Sequence, residues 1–212
     1  MKAILFDLDG TLLDTLDELE DAVNTSLARF GYPHRSREQV REFVGNGVAN
    51  LMRRAVPADT PQEEYEACLA FMREYYTAHS GELAKPYPGI PELLDTLKKK
   101  GLALAVVTNK PDRPARRLVE QHFSGLFNAV VGECADRPRK PAPDMPAYAL
   151  EQLGLGSGEA VYVGDSQVDI QTARNAGLKV VSVTWGFRDR EELEQLQPDW
   201  LVVEPMELLK LL

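Results

Sequence analysis

Short, nearly continuous apolar runs alternate with helical patterns over most of the chain. Residues 3–8, 102–108, 129–132, 160–164, 180–183 and 200–203 read as strands. Between them, apolar positions recur at three- and four-residue spacing over 90–100, 113–122, 144–153, 168–176 and 191–197, which predicts helices. The run Leu102-Ala103-Leu104-Ala105-Val106-Val107 has no polar face, so it is expected to be buried on both sides. Strands and helices in this alternation predict an α/β fold: a doubly wound, Rossmann-like parallel sheet with helices on both faces.

One stretch departs from that rhythm. From residue 16 to 83 there is no strand signal. Leu16, Leu19, Ala22, Val23 and Leu27 recur at helical spacing, and Gly31-Tyr32-Pro33 stops that helix. Further helices are expected at 37–43, through Leu51 and Ala55, and at 62–77, with the turn Val44-Gly45-Asn46-Gly47 between the first two. Lys85-Pro86-Tyr87-Pro88-Gly89 marks the return to strand–helix alternation. The expected organisation is a catalytic core of residues 1–15 and 83–212 with an inserted small α-helical cap of residues 16–82. An insertion after the carboxyl end of a strand in such a sheet reads as a lid, hinged near Asp14 and Leu83.

The bulk properties narrow the function classes. The chain has 212 residues, 44% of them hydrophobic and 27% charged, which suits a globular fold. Its net charge of −9 argues against nonspecific binding to nucleic acid or an anionic membrane, but leaves a small anionic substrate open. Asp7 and Asp9 interrupt the first apolar run before a signal peptide could form, and no run is long enough for a membrane span. A cytoplasmic protein is the expectation, as monomer or homodimer. Cys68 and Cys134 stand far apart without a CxxC pattern, so neither zinc nor a disulfide framework is expected.

The candidate chemistry starts at Asp7-Leu8-Asp9-Gly10-Thr11, directly after the apolar run Ala3-Ile4-Leu5-Phe6. Residues i and i+2 on a strand share a face, so Asp7 and Asp9 can share one small space. Paired carboxylates want a metal ion, a shared proton, or both. Gly10 lets the backbone turn and approach an anion, and the Thr11 hydroxyl can fix that turn. Three further sites fall at predicted strand ends or in the loops after them: Thr108-Asn109, Lys140 ahead of a helix, and Gly164-Asp165-Ser166 with Asp169 one helical turn on. A parallel sheet gathers such positions in one crevice. Taken singly, each is ordinary: an Asp caps helices, a Thr packs at strand ends, a Lys is solvated. Together the acids repel, by about 4 kcal/mol for two charges ~4 Å apart at an effective dielectric of ~20. They call for Lys140 and a divalent cation; hard oxygen ligands and an expected phosphate favour Mg2+.

The ordered set resembles the haloacid dehalogenase superfamily of phosphohydrolases across essentially the whole chain. Asp7-Leu8-Asp9-Gly10-Thr11 matches its first motif, Thr108 its second, Lys140 its third, and Gly164-Asp165-Ser166 through Asp169 its fourth. The helical insertion is similar to the superfamily's small α-helical cap. An acid at Asp9 is a feature of the phosphate-transferring members. The resemblance implies that Asp7 is the nucleophile, forming an aspartyl-phosphate, and that Asp9 is the general acid and base. It implies a magnesium site from the Asp7 carboxylate, the Asp9 carbonyl and Asp165, with Asp169 as a water-mediated ligand or as support. Gly10, Thr108, Asn109 and Lys140 would bind the phosphoryl group. The cap segment Phe43-Val44-Gly45-Asn46-Gly47, with Leu51 and Arg54-Ala55, is similar to the phosphoglycolate phosphatases, as is Thr184-Trp185-Gly186-Phe187. Gly45, Asn46 and Gly47 are thus candidate substrate contacts, and Arg53 and Arg54 could grip a carboxylate or simply be solvated. A small phosphorylated metabolite is the expected substrate. A sugar phosphomutase, a pyrophosphatase and a noncatalytic phospholigand sensor are the competing readings.

Overall fold

A computed structural model of the chain describes residues 1–44 and 47–211. In chain order the elements are β1 (Ala3–Phe6), β2 (Leu13–Asp14), α1 (Leu16–Arg29), α2 (Arg37–Phe43), α3 (Gly47–Ala55), α4 (Gln62–His79) and β3 (Lys85–Pro86). They continue with α5 (Ile90–Lys99), β4 (Ala103–Pro111), α6 (Asp112–Phe123), β5 (Ala129–Glu133), α7 (Asp144–Leu153), β6 (Ala160–Gly164), α8 (Gln167–Asn175), β7 (Lys179–Val183), α9 (Arg190–Gln195) and β8 (Trp200–Val202). The chain divides into two units, Met1–Asp14 with Lys85–Leu212, and Thr15–Ala84. The division lies one residue before the expected first boundary and two residues after the expected second.

The larger unit is built on a six-stranded sheet of order β5-β4-β1-β6-β7-β8. All its pairings are parallel. Residues of β1 are fully buried, as their unbroken apolar run requires. Alternate residues share a face: Ala3 and Leu5, Ala105 and Val107, and Ala160 and Tyr162 join Met145 and Ala149 of α7 and Ile170 and Ala173 of α8 in one core. On the opposite face Phe6 meets Phe127 edge-on at 6.3 Å, and Phe127 meets Phe123 of α6 at 5.9 Å. Helices therefore cover both faces. Each fully buried Leu, Ile or Phe contributes roughly 1.5–3 kcal/mol.

Register places the chemistry. Phe6 pairs with Val106 on one side and Val163 on the other, so β1 and β6 finish level while β4 continues between β1 and β5. The Asp7 amide extends the ladder by donating to Val163 O at 2.9 Å. Asp7 and Asp165 then leave the sheet at the edge where Thr108 stands on β4. β4 runs three residues past Thr108, with a register shift between Val107 and Pro111 that lets Pro111 pair with Glu133. A two-stranded antiparallel ribbon, Leu13 to Pro86 and Asp14 to Lys85, closes the unit where the insertion leaves and returns.

The smaller unit is four helices. α1 is amphipathic, with Leu16, Leu19, Ala22, Val23 and Leu27 buried. α2 starts in a capping box formed by Ser36 and Gln39. Among the described residues no helix is long and apolar enough to cross a membrane. Glu18 is 5% exposed, and its Oε1 accepts from the amides of Gly81, Leu83 (3.2 Å) and Ala84 (3.1 Å), tying the unit's last segment to its first helix. Hydrogen bonds to a charged group are worth about 1.5–3 kcal/mol each. Glu18→Ala leaves three amides without that acceptor, so the protein should lose about 3 kcal/mol of stability, read as a lower urea midpoint.

Candidate active site

The loop after β1 folds on itself. The amides of Leu12 and Leu13 donate to Leu8 O, both at 3.0 Å, and Gly10 N donates to Leu13 O at 2.9 Å. Gly10 has φ +81°, and a Cβ there would lie 2.4 Å from Asp165 Oδ2. Left-handed backbone and close approach both demand glycine. Gly186 walls Asp165 from another side, where a Cβ would lie 2.3 Å from Asp165 Cβ. Asp165 is 2% exposed. It accepts from Thr11 Oγ1 at 3.2 Å and from Phe187 N at 2.8 Å. Trp185 Nε1 donates to Thr11 O at 3.0 Å, so the segment after β7 braces the first motif.

Lys140 is the centre of the second half. Its side chain is 2% exposed, and its ammonium lies 2.9 Å from Asp7 Oδ1, 2.8 Å from Asp169 Oδ1 and 3.1 Å from Tyr162 Oη. Three donors thus meet three acceptors. Tyr162 in turn donates to Val107 O at 2.9 Å. Asp169 Oδ2 accepts from Ser166 N (3.1 Å) and Ser166 Oγ (2.6 Å), while Ser166 caps α8. Asn109 Nδ2 donates to Lys140 O at 3.1 Å, and Lys140 N donates to Asn109 Oδ1 at 2.8 Å. Thr108 is buried, and its Oγ1 accepts from Lys110 N at 3.2 Å.

Two of the expected phosphate-binding residues also have structural partners. Asn109 uses its side-chain carbonyl and one amide proton on the Lys140 main chain, so it places the lysine. The Gly10 amide donates to Leu13 O, and its bare Cα admits Asp165. Asp169, expected near a metal, has Lys140 on one oxygen and Ser166 on the other. Asp9 has its own cation, with Oδ1 3.0 Å from Lys110 Nζ. Lys110 was not singled out in the sequence, nor was Tyr162. In the helical unit Arg53 donates to Gln62 Oε1 at 2.8 Å and stacks on Tyr65, and Arg54 donates to Glu42 O at 2.7 Å and stacks on Phe43. Each guanidinium is therefore engaged within its own unit. Gly47 opens α3, and Gly45 and Asn46 lie outside the described residues.

The electrostatics call for more positive charge. Oxygens of Asp7, Asp165 and Asp169 lie within 4.8 Å of one another, all three residues buried. Burial, with Asp169 and Asp165 beside it, drives the Asp7 carboxyl well above the usual range against the pull of Lys140. Burial and then Asp169 push Asp165 up to about 7, although the Phe187 amide and Thr11 hydroxyl favour its anion. Burial works against the Lys140 ammonium, yet Asp169 and Asp7 outweigh it and hold the group well above the ordinary lysine value. Four carboxylates, Asp7, Asp9, Asp165 and Asp169, face two ammonium groups, Lys110 and Lys140, with the Arg188 guanidinium also acting on Asp165. A divalent cation would offset the excess of acid. An all-oxygen donor set suits a hard ion.

Comparison with known proteins accords with this geometry. The family model for haloacid dehalogenase-like hydrolases matches residues 4–183. Phosphoglycolate phosphatase 1 of Pseudomonas aeruginosa is 34% identical over 98% of this chain and 78% of its own length. The phosphoglycolate phosphatase of Aquifex aeolicus is 34% identical over 100% of this chain and 97% of its own. A solved structure from Lactobacillus delbrueckii, itself described as a candidate phosphoglycolate phosphatase, superposes with a TM-score of 0.93 at 35% identity, covering 98% of this chain and 96% of that one. With an α/β fold, a parallel sheet in level register and acids gathered around one lysine, the chain belongs to the haloacid dehalogenase-like hydrolases and is a phosphoric monoester hydrolase of that family.

Proposed function

We propose that the chain is a magnesium-dependent phosphatase of small phosphomonoesters that works through an aspartyl-phosphate on Asp7, with 2-phosphoglycolate as substrate. The observation that carries the chemistry is the buried Asp7 carboxylate held 2.9 Å from Lys140 Nζ beside Asp165 and Asp169. The substrate rests on the relatives, which are named for phosphoglycolate. Asp7 and Asp165 would hold the ion with their carboxylates and Asp9 with its carbonyl, Asp169 standing beside them. When bound, the ion supplies the positive charge that keeps the acids ionised and offsets the phosphoryl oxygens.

In the first step a carboxylate oxygen of Asp7 attacks phosphorus, and the bond from phosphorus to the ester oxygen breaks. That oxygen leaves with the electron pair and takes a proton from Asp9. In the second step Asp9 takes a proton from water, whose oxygen attacks phosphorus. The bond to Asp7 then breaks and phosphate departs. The Thr108 hydroxyl accepts from the Lys110 amide, which leaves its proton for a phosphoryl oxygen. Lys140 offsets charge on both the nucleophile and the phosphoryl group. Asp169, Tyr162 and Asn109 keep that lysine in place from three directions. A nucleophile and an acid kept together favour a hydrolase over a phospholigand sensor.

Asp7→Asn should abolish phosphate release; turnover by that variant at the parental rate would remove Asp7 as the nucleophile. In a phosphate-release panel with magnesium, 2-phosphoglycolate should exceed hexose phosphates, nucleotides and pyrophosphate by more than about tenfold in kcat/KM, equal to ~1.4 kcal/mol of transition-state discrimination. A bisphosphate-primed isomerisation assay should show no mutase turnover. The pH behaviour follows from Asp165, whose carboxyl lies at about 7 against an ordinary 3.8. Between those values the folded, metal-free protein keeps a proton that the unfolded chain has lost, so stability falls as pH rises through the window. Urea denaturation in a chelator should show a drop of a few kcal/mol from pH 5 to pH 8, smaller in Asp165→Asn. Magnesium competes with that proton and should bind more tightly as pH rises past about 7.

A further inference from the structure

The four expected motif positions do not account for Lys110. It sits on the stretch of β4 beyond Thr108, within the register shift, where its amide is tied to Thr108 Oγ1 at 3.2 Å. Its side chain is 1% exposed, and its ammonium lies 3.0 Å from Asp9 Oδ1, 101 residues away in the chain. A lysine out of solvent must be paired. Asp9 is the more open partner, at 22% side-chain exposure. The two buried lysines therefore divide the acids: Lys140 faces Asp7 and Asp169, and Lys110 faces Asp9.

We infer that Lys110 is a positioning residue for the general acid–base, its ammonium gripping one oxygen of Asp9 so that the other edge of that carboxyl is turned to the ester oxygen. This rests on the reading of Asp9 given under Proposed function. Three features point the same way. The lysine reaches Asp9 from a different strand, so its grip is independent of the loop that carries Asp9. Its backbone is fixed by Thr108, so the ammonium has a defined origin. Its burial leaves little of the group for a ligand arriving from solvent, whereas Asp9 remains within reach of one. Lys110 thus acts on the reaction through Asp9. In the first step the bond from phosphorus to the ester oxygen breaks, the electron pair stays on that oxygen, and the proton comes from Asp9. An alkoxide leaving group needs that proton, whereas a dinitrophenolate departs without it.

The test compares leaving groups. Lys110→Met, close in length and uncharged, is assayed by kcat/KM on the best alkyl ester of the panel and on 2,4-dinitrophenyl phosphate. This parameter reports the steps through the first phosphoryl transfer. The alkyl ester should lose about 100-fold, the aryl ester less than about threefold. Lys110→Arg, which keeps a donor, should restore most of the alkyl-ester rate. Asp9→Asn should show the same leaving-group dependence, and adding Lys110→Met to it should cost little more. Equal losses on both esters in Lys110→Met, with Asp9→Asn still selective, overturn the positioning role and leave the Asp9 assignment standing. An Asp9→Asn variant that does not distinguish the esters overturns the Asp9 assignment and this inference with it. If Lys110→Met does not fold, Lys110→Leu, also without a donor, carries the same comparison.

Discussion

The ammonium of Lys140 is the point on which the site depends. It is out of water, and its three donors face Asp7, Asp169 and Tyr162. A lone charge at that depth would be prohibitively costly, and so would any one of the acids without it. The pair Lys140–Asp7 leaves the Asp7 carboxylate ionised only with help, because burial and then Asp169 and Asp165 in the same space favour its proton. Stability and chemistry therefore pull against each other at this spot. Burial that strengthens an attacking carboxylate also favours its protonation, and added positive charge is what reconciles the two.

The sheet makes that juxtaposition cheap in chain entropy. Parallel register sets Phe6, Val106 and Val163 level, so residues from positions 7, 108 and 165 arrive together without long loops. The rest is bracing at short range. Thr11 and the Phe187 amide grip Asp165, Ser166 grips Asp169, and Trp185 closes on the backbone of Thr11. Rigid side chains around a developing charge need not reorganise during reaction, which is where electrostatic catalysis gains most.

Much of the core was legible because the signals are local. Unbroken apolar runs mark two-sided burial, and the alternation of strand and helix implies the parallel sheet. Asp7 is readable as the residue that follows the first apolar run, whereas Asp9 lies in the loop after β1, off the strand period, and pairs with a different lysine. What escaped depends on distant pairing. Nothing near Lys110 says that β4 continues past Thr108, so the lysine looks like any solvated cation. Tyr162 reads as one more apolar position of β6, though its hydroxyl meets both Val107 O and Lys140. The β2–β3 ribbon has two residues a side, too few to show a period. Asn109 beside Thr108 suggested an anion binder, and its clamp on the main chain of a residue 31 positions further on was not readable. Arg53 and Arg54 looked available for a carboxylate, and local partners hold both.

That amide clamp has an evolutionary corollary. Asn109 grips the N–H and the carbonyl of residue 140 together, so the lysine takes its coordinates from the tip of β4. The intervening chain from 134 to 139 has a contact of its own, Arg137 stacking on Tyr148 at 4.2 Å. Substitutions there that keep this contact leave the ammonium where it is, whereas a change at position 109 would unmoor it.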